Sequence, residues 1–262
     1  MINYHNHTPL CGHATGEISE YIEKAIELGI REMGFSDHAP MPEGLREGIS
    51  MKPEEAEVYI GNVLAEKDKY EGKLDVRLGF EVDFPLFDTF NRDYFSDPRI
   101  DYLIGSCHFI DGWPFDHPDY IDEFSRRDVD EIYLRYYEIM GELVDSGLFD
   151  IVGHMDLVKK FGHRAKSDLS GKVRELSRKI SKRGMAAEIN TSGLLKPVGE
   201  IYPSREIVEI FFQENVPITL GSDSHSPESV GYGYESALEM VKSVGYRKLS
   251  GFRKRERYEM DI

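Results

Sequence analysis

Ile2-Asn3-Tyr4-His5-Asn6-His7 opens the chain as a short strand-like run that ends in two imidazoles. Side chains on a strand repeat every second residue, so His5 and His7 share one face. Six further runs have the same shape: Glu32–Asp37, Val76–Val82, Tyr102–His108, Asp150–His154, Met185–Asn190 and Ile218–Ser222. Between them lie segments with helical spacing. Glu17–Leu28 puts Ile18, Tyr21, Ile22, Ala25 and Leu28 on one face, and Pro53–Tyr70 turns Ala56, Ile60, Val63 and Leu64 inward. Asp128–Leu143, Leu169–Ser181, Ser204–Gln213 and Ser229–Val241 complete the set, and only the third strand lacks a clear helix after it. Strand then helix, repeated, predicts an α/β chain with a parallel sheet and helices outside. The expected arrangement is a (β/α)7 barrel, with an open doubly wound sheet as the alternative. The charged tail Lys248–Ile262 is expected to form an edge strand or a hairpin closing the barrel.

A length of 262 residues suits one large barrel or two modest domains. No repeat, low-complexity tract or linker marks a boundary, so residues 1–262 are expected to form a single domain. A hydrophobic content of 40% with 31% charged residues fits a soluble globular chain, and no apolar run is long enough to span a bilayer. The strand-like start leaves no room for a leader, which makes a cytoplasmic location the expectation. A net charge of −16 argues against a nucleic-acid partner, because duplex binding needs a basic face. Acidic proteins that handle anions recruit metal ions or a few placed cations instead. Cys11 and Cys107 are too few for a disulfide framework and are expected to be buried free thiols, although each lies close to a candidate metal ligand.

The chemistry collects at the strand ends. Asp37-His38 ends the second run, Glu81 sits in the third between Phe80 and Val82, and His108 and His154 end the fourth and fifth. Glu188 and Asn190 lie on the sixth, while Asp223-Ser224-His225 follows the seventh and repeats the alternate spacing of the first. In barrels the C-terminal rim of the strands is where active sites are built. Singly, His108 and His154 would be core histidines and Asp37 a turn or cap residue. An unpaired Glu81 in an apolar run would be costly, and a cation is the simplest partner. Collectively the pattern predicts metal binding. Imidazole and carboxylate donors without a cysteine cluster favour catalytic Zn, Mn or Fe. The donors outnumber what one ion uses, so two or three ions are expected, with Glu81 bridging and a shared water made acidic. His117 and His163 fall in loops.

These residues carry a family likeness. Tyr4-His5-Asn6-His7-Thr8, Gly34-Phe35-Ser36-Asp37-His38-Ala39-Pro40, Gly79-Phe80-Glu81-Val82-Asp83 and Gly105-Ser106-Cys107-His108-Phe109 resemble the polymerase-and-histidinol-phosphatase superfamily. So do Gly153-His154-Met155-Asp156 and Gly221-Ser222-Asp223-Ser224-His225, while Trp113-Pro114-Phe115-Asp116 and Glu188-Ile189-Asn190-Thr191-Ser192-Gly193 point to its histidinol-phosphatase branch. The resemblance implies a distorted (β/α)7 barrel with a trinuclear centre. His5, His7, Glu81 and Asp223 would hold one ion, Glu81, His108 and His154 a second, and His13, His38 and His225 a third. It also implies a small phosphate monoester, L-histidinol phosphate, as substrate, with Asp223 orienting the attacking hydroxide. A phosphoesterase acting on nucleotides or nucleic-acid ends is the alternative within the family. Where the family pattern leads one to expect an arginine after the Asn-Thr-Ser-Gly-Leu stretch, this chain has Leu195-Lys196. Arg164, Lys196 and Arg205 are candidates for holding phosphate, the other reading being ordinary surface charge. Trp113, Phe115 and Asp116 either shape a pocket for the organic end of the substrate or form a flap packed on the rim.

Overall fold

The computed structural model describes all residues, 1–262. Seven parallel strands run β1 (Ile2–Asn3), β2 (Glu32–Phe35), β3 (Asp75–Asp83), β4 (Tyr102–Ser106), β5 (Ile151–Val152), β6 (Ala186–Asn190) and β7 (Ile218–Gly221), each paired with its successor in the chain. Just beyond β1, Tyr4 N donates to Leu220 O at 2.9 Å and His7 N to Ser224 O at 2.9 Å, which joins the first strand to the last. The sheet thus curls into a nearly closed barrel, and an open doubly wound sheet is excluded. Apart from the exposed Asp75 at the start of β3, these strands are buried along their length, as expected of parallel strands covered on both faces.

Helices α1 (Ile18–Glu27), α2 (Ala56–Lys69), α3 (Val129–Ser146), α4 (Ser170–Arg183), α5 (Arg205–Gln213) and α6 (Tyr234–Val244) pack outside. After β3 the chain makes only a short 3-10 turn, Arg92–Ser96, the lapse read from the sequence. The last helix begins later than its apolar spacing suggests. Gly231 and Gly233 take left-handed φ of 68° and 73°, which no helix can include, so the helix starts at Tyr234.

The tail forms an antiparallel hairpin, β8 (Lys248–Arg253) and β9 (Glu256–Asp261), that seals the N-terminal end of the barrel. Phe252 N donates to Tyr4 Oη at 2.9 Å, and Arg77 at the start of β3 donates to Phe252 O at 3.1 Å and to Glu32 Oε2 at 3.1 Å. The hairpin turn is Lys254-Arg255, with φ of 51° and 67°, where Asn-Gly would be the favoured pair. Tertiary bonds hold it. Lys254 N donates to Asp101 Oδ1 at 3.1 Å, and the Arg255 guanidinium donates to Phe95 O at 2.8 Å and Leu148 O at 2.7 Å and pairs with Asp150.

Above this plug the Tyr102 ring spans the interior from β4 and donates its hydroxyl to Tyr4 O at 2.6 Å. A Cβ at Gly79 would lie 2.6 Å from that ring and 2.8 Å from the Tyr102 carbonyl, so only glycine fits. Gly79→Ala is therefore expected to cost about 1–3 kcal/mol by overpacking. Gly61→Ala, on the exposed face of α2 with open space around it, should instead gain up to about 1 kcal/mol. Urea unfolding of the two variants against the parent checks both signs.

Candidate metal centre

Every strand end delivers a side chain to the same mouth. Glu81, 1% exposed, lies at the centre. Its Oε2 stands 3.2 Å from His5 Nε2, 3.6 Å from His7 Nε2 and 3.1 Å from His38 Nδ1. Its Oε1 stands 2.9 Å from His154 Nε2 and 3.7 Å from His108 Nε2. Asp223 Oδ1 completes the first group, at 3.1 Å from His7 Nε2 and 3.7 Å from His5 Nε2. The His13 ring stacks on His225 at 4.5 Å and lies 5.6 Å from His38, so the third set also converges. All nine residues assigned to metal are brought together.

Carboxylates behind them fix the imidazoles. Glu188 meets His5 Nδ1 at 2.6 Å and accepts from His154 N at 2.9 Å; Asp83 meets His108 Nδ1 at 2.9 Å. Asp37 faces His7 Nδ1 at 3.4 Å and is itself held by the Thr8 hydroxyl. Asp83 is not among the site residues singled out from the sequence, yet its position two residues after Glu81 on one strand is a usable signal. Backbone strain contributes too. Asp223 sits at φ 51°, a left-handed conformation uncommon for a non-glycine residue, and is secured by Ser192 Oγ at 3.1 Å and Asn190 Nδ2 at 3.3 Å. At Gly221 a Cβ would lie 2.7 Å from His5 Cβ, so β7 can approach the first strand only with glycine there.

The electrostatics are those of a site built for cations. Burial opposes charge on His7, but Asp223 and Asp37 raise it to about 9; burial opposes charge on His108, but Asp83 and Glu81 raise it to about 10. Burial would raise Glu81 and Asp223, yet the surrounding histidines hold both carboxyls well below their usual range. Burial and neighbouring imidazoles push His38 and His225 well below theirs. His5 Nε2, His38 Nδ1 and His225 Nε2 are buried without a hydrogen bond of acceptable geometry, an arrangement that divalent ions would satisfy. The donor set therefore fits bound metal. Cys11 and Cys107 are free and buried; burial chiefly pushes the Cys11 thiol up to about 12, and it lies near His13 and His225.

The cavity over the cluster has a volume of about 480 Å³, and Asp116, His117, Lys160, Ser192 and Lys196 are among its walls. Lys196 is exposed there and its ammonium has no partner, whereas Lys160 Nζ binds Asp116 Oδ2 at 3.0 Å. Lys160 escapes sequence reasoning, since nothing in its local sequence sets it apart from surface charge. The other expected contacts lie elsewhere. Arg164 is outside the cavity, paired with Glu200 at 2.5 Å, and Arg205 spans the outer helices between Glu209 at 2.9 Å and Ser243 at 2.9 Å. Trp113 and Phe115 are buried and pack behind the wall, Trp113 edge-on to Phe124 at 4.8 Å and Phe115 to Tyr136 at 5.5 Å. His163 stacks flat on Phe124 at 4.4 Å, while His117 reaches the rim.

Fold and donor set define a parallel barrel with a metal-competent mouth at the C-terminal ends of its strands. The chain belongs to the PHP domain family, whose model matches residues 3–192. A Deinococcus radiodurans protein named "Probable histidinol-phosphatase" is 39% identical over 98% of each chain. The histidinol-phosphatase of Bacillus subtilis is 31% identical over 90% of this chain and 97% of its own. The crystal structure of histidinol phosphate phosphatase from Lactococcus lactis, complexed with zinc, L-histidinol and phosphate, superposes with a TM-score of 0.77 at 21% identity, covering 98% of both chains. That last likeness is one of fold.

Because His7 and His108 hold their protons to about 9 and about 10 without metal, cations must displace protons to bind at neutral pH. Zinc titration by calorimetry in two buffers of different ionisation enthalpy should show net proton release at pH 7. Affinity should rise with pH up to those values. Loading without proton release would contradict this account of the site.

Proposed function

We propose that the chain is a metal-dependent phosphomonoesterase that hydrolyses L-histidinol phosphate to L-histidinol and phosphate, a step of histidine biosynthesis. The observation that carries the reading is the convergence of nine imidazoles and carboxylates at one barrel mouth, seven of them lining one small cavity, in a chain with full-length likeness to histidinol-phosphatases. A volume of about 480 Å³ suits a small ester rather than a duplex, and the net charge of −16 is unhelpful for polyanions.

His5, His7, Glu81 and Asp223 would hold one ion, Glu81, His108 and His154 a second, and His13, His38 and His225 a third. When bound, such ions supply Lewis acidity towards the phosphoryl oxygens and lower the pKa of water. The chain's own groups do the rest. Glu188 and Asp83 accept the Nδ1 protons of His5 and His108, which turns the Nε2 lone pairs towards Glu81. Asp223, locked by Asn190 and Ser192, orients the attacking water and is the proposed catalytic residue. Lys196 presents an unpaired ammonium for the phosphate at the mouth, the role the arginine candidates do not fill from where they lie.

Phosphate release from L-histidinol phosphate, compared with a nucleotide panel after zinc or manganese loading, tests the reading. Turnover of the former with little of the latter is expected, and the reverse would overturn it. A chelator should abolish turnover and readded metal restore it. Asp83→Asn should lower metal affinity or turnover by about 10–100-fold, and His154→Ala by at least the upper end of that range. Metal content by mass spectrometry accompanies both measurements.

A further inference from the structure

Two lysines stand side by side on the turn that follows β5, and they serve different surroundings. Lys160 lines the cavity and binds Asp116. Lys159 is turned into the protein and is only 1% exposed, a rare place for an ammonium. Its Nζ stands 2.8 Å from Asp156 Oδ2, donates to Glu200 Oε2 at 3.2 Å and to Ile201 O at 2.9 Å, and lies 5.4 Å from the centre of the Tyr202 ring. Asp156 Oδ2 also accepts from Ser204 N at 2.9 Å. None of these partners is a metal donor. The buried charge fastens one stretch of chain, residues 200–204, to another, the turn 154–160.

The first of those stretches closes a loop. Asn190 and Tyr202 pair through both backbone bonds, at 2.6 Å and 2.8 Å, so residues 191–201 leave and return at one point. A Cβ on Gly193 would collide with Glu200 O, so the outgoing and returning arms lie against each other. The loop meets the turn again where Val198 N donates to Lys160 O at 3.1 Å. Leu195 and Lys196, far out on the loop, belong to the cavity wall. The outgoing arm is fixed locally, since Ser192 N donates to Asn190 Oδ1 at 2.9 Å. The return arm is fixed at Ile201 by the Lys159 ammonium.

We infer that Lys159 is a positioning residue for phosphate binding: by fastening the return arm of the 191–201 loop to the 154–160 turn, it sets where Lys196 presents its ammonium. The inference rests on the phosphomonoesterase reading and on Lys196 as the phosphate contact. Lys196 is exposed and unpaired, so the backbone beneath it is what places it. A displacement of about 1 Å at such a contact can cost about 100-fold. Asp223 is secured separately, through Asn190 and Ser192, so the loss should fall on KM and not on kcat.

The test is a double-mutant cycle on zinc-loaded protein with L-histidinol phosphate as substrate. Lys196→Met should raise KM by roughly 10–100-fold, the range of a hydrogen bond to a charged group. Lys159→Met should raise it at least roughly tenfold with kcat little changed. In the Lys196→Met background the same change should add less than about twofold, because the contact it positions is already gone. Lys159→Met leaves Asp156 buried without its cation, so the pair Lys159→Met with Asp156→Asn, which keeps an acceptor for Ser204 N, is measured beside it. KM does not depend on the fraction of chains that fold, and zinc per chain should match the parent in both. Equal KM increments in the two backgrounds, an unchanged KM in Lys159→Met or in Lys196→Met, or loss of zinc from both Lys159 variants overturns the inference and leaves the phosphatase reading standing. A parent protein inactive on L-histidinol phosphate but active on other phosphates overturns the substrate assignment, and the inference with it.

Discussion

One buried carboxylate organises the mouth of this barrel. Glu81 lies within 3.7 Å of five imidazoles and is almost sealed from water. An ionised carboxylate there costs several kcal/mol unless positive charge faces it, and without metal that charge comes from imidazoles such as His7 and His108 that hold their protons. The histidines have the converse problem, with buried ring nitrogens that no protein group satisfies. Both would be resolved at once by cations held among these groups. The surrounding structure can be understood as what keeps these mutually dependent groups at their posts.

Two kinds of constraint hold them, at opposite ends of the barrel. At the C-terminal mouth the backbone itself is bent to shape the site. Asp223 is held left-handed there, and Gly221 admits the first strand where any side chain would collide. Such conformations cost of order 1–3 kcal/mol and persist only where neighbours enforce them. At the N-terminal end the Glu32–Arg77 pair, Asp101 and Asp150 bind the C-terminal hairpin, which closes the interior beneath Tyr102. Stability is concentrated below and chemistry above, the usual division in parallel barrels.

The loop after β4 shows how the two kinds of residue in a rim segment divide their labour. Trp113 and Phe115 bury themselves and contribute no wall to the cavity, whereas Phe109 and the polar residues Asp116 and His117 face it. Anchoring by large apolar groups removes the conformational freedom that would otherwise be lost when a ligand binds. The same logic covers the lysines: Lys160 is tied to Asp116, while Lys196 stays free.

The barrel and its metal-competent residues are legible in the chain alone, because both are written in local periodicity. Alternation marks the strands, 3.6-residue spacing marks the helices, and a donor at the end of a parallel strand has one mouth to face. Asp83 is readable by the same alternation. Loops obey no such period. Whether Arg164 reaches the cavity or Glu200, whether Trp113 touches substrate or Phe124, and whether Lys254-Arg255 can turn a hairpin depend on partners far away in the chain. His13 belongs here as well: only packing against His225 and His38 brings it to the cluster. Short-range order records which residues are competent for chemistry, and long-range packing, where distant surfaces compete for each side chain, settles which of them face the cavity.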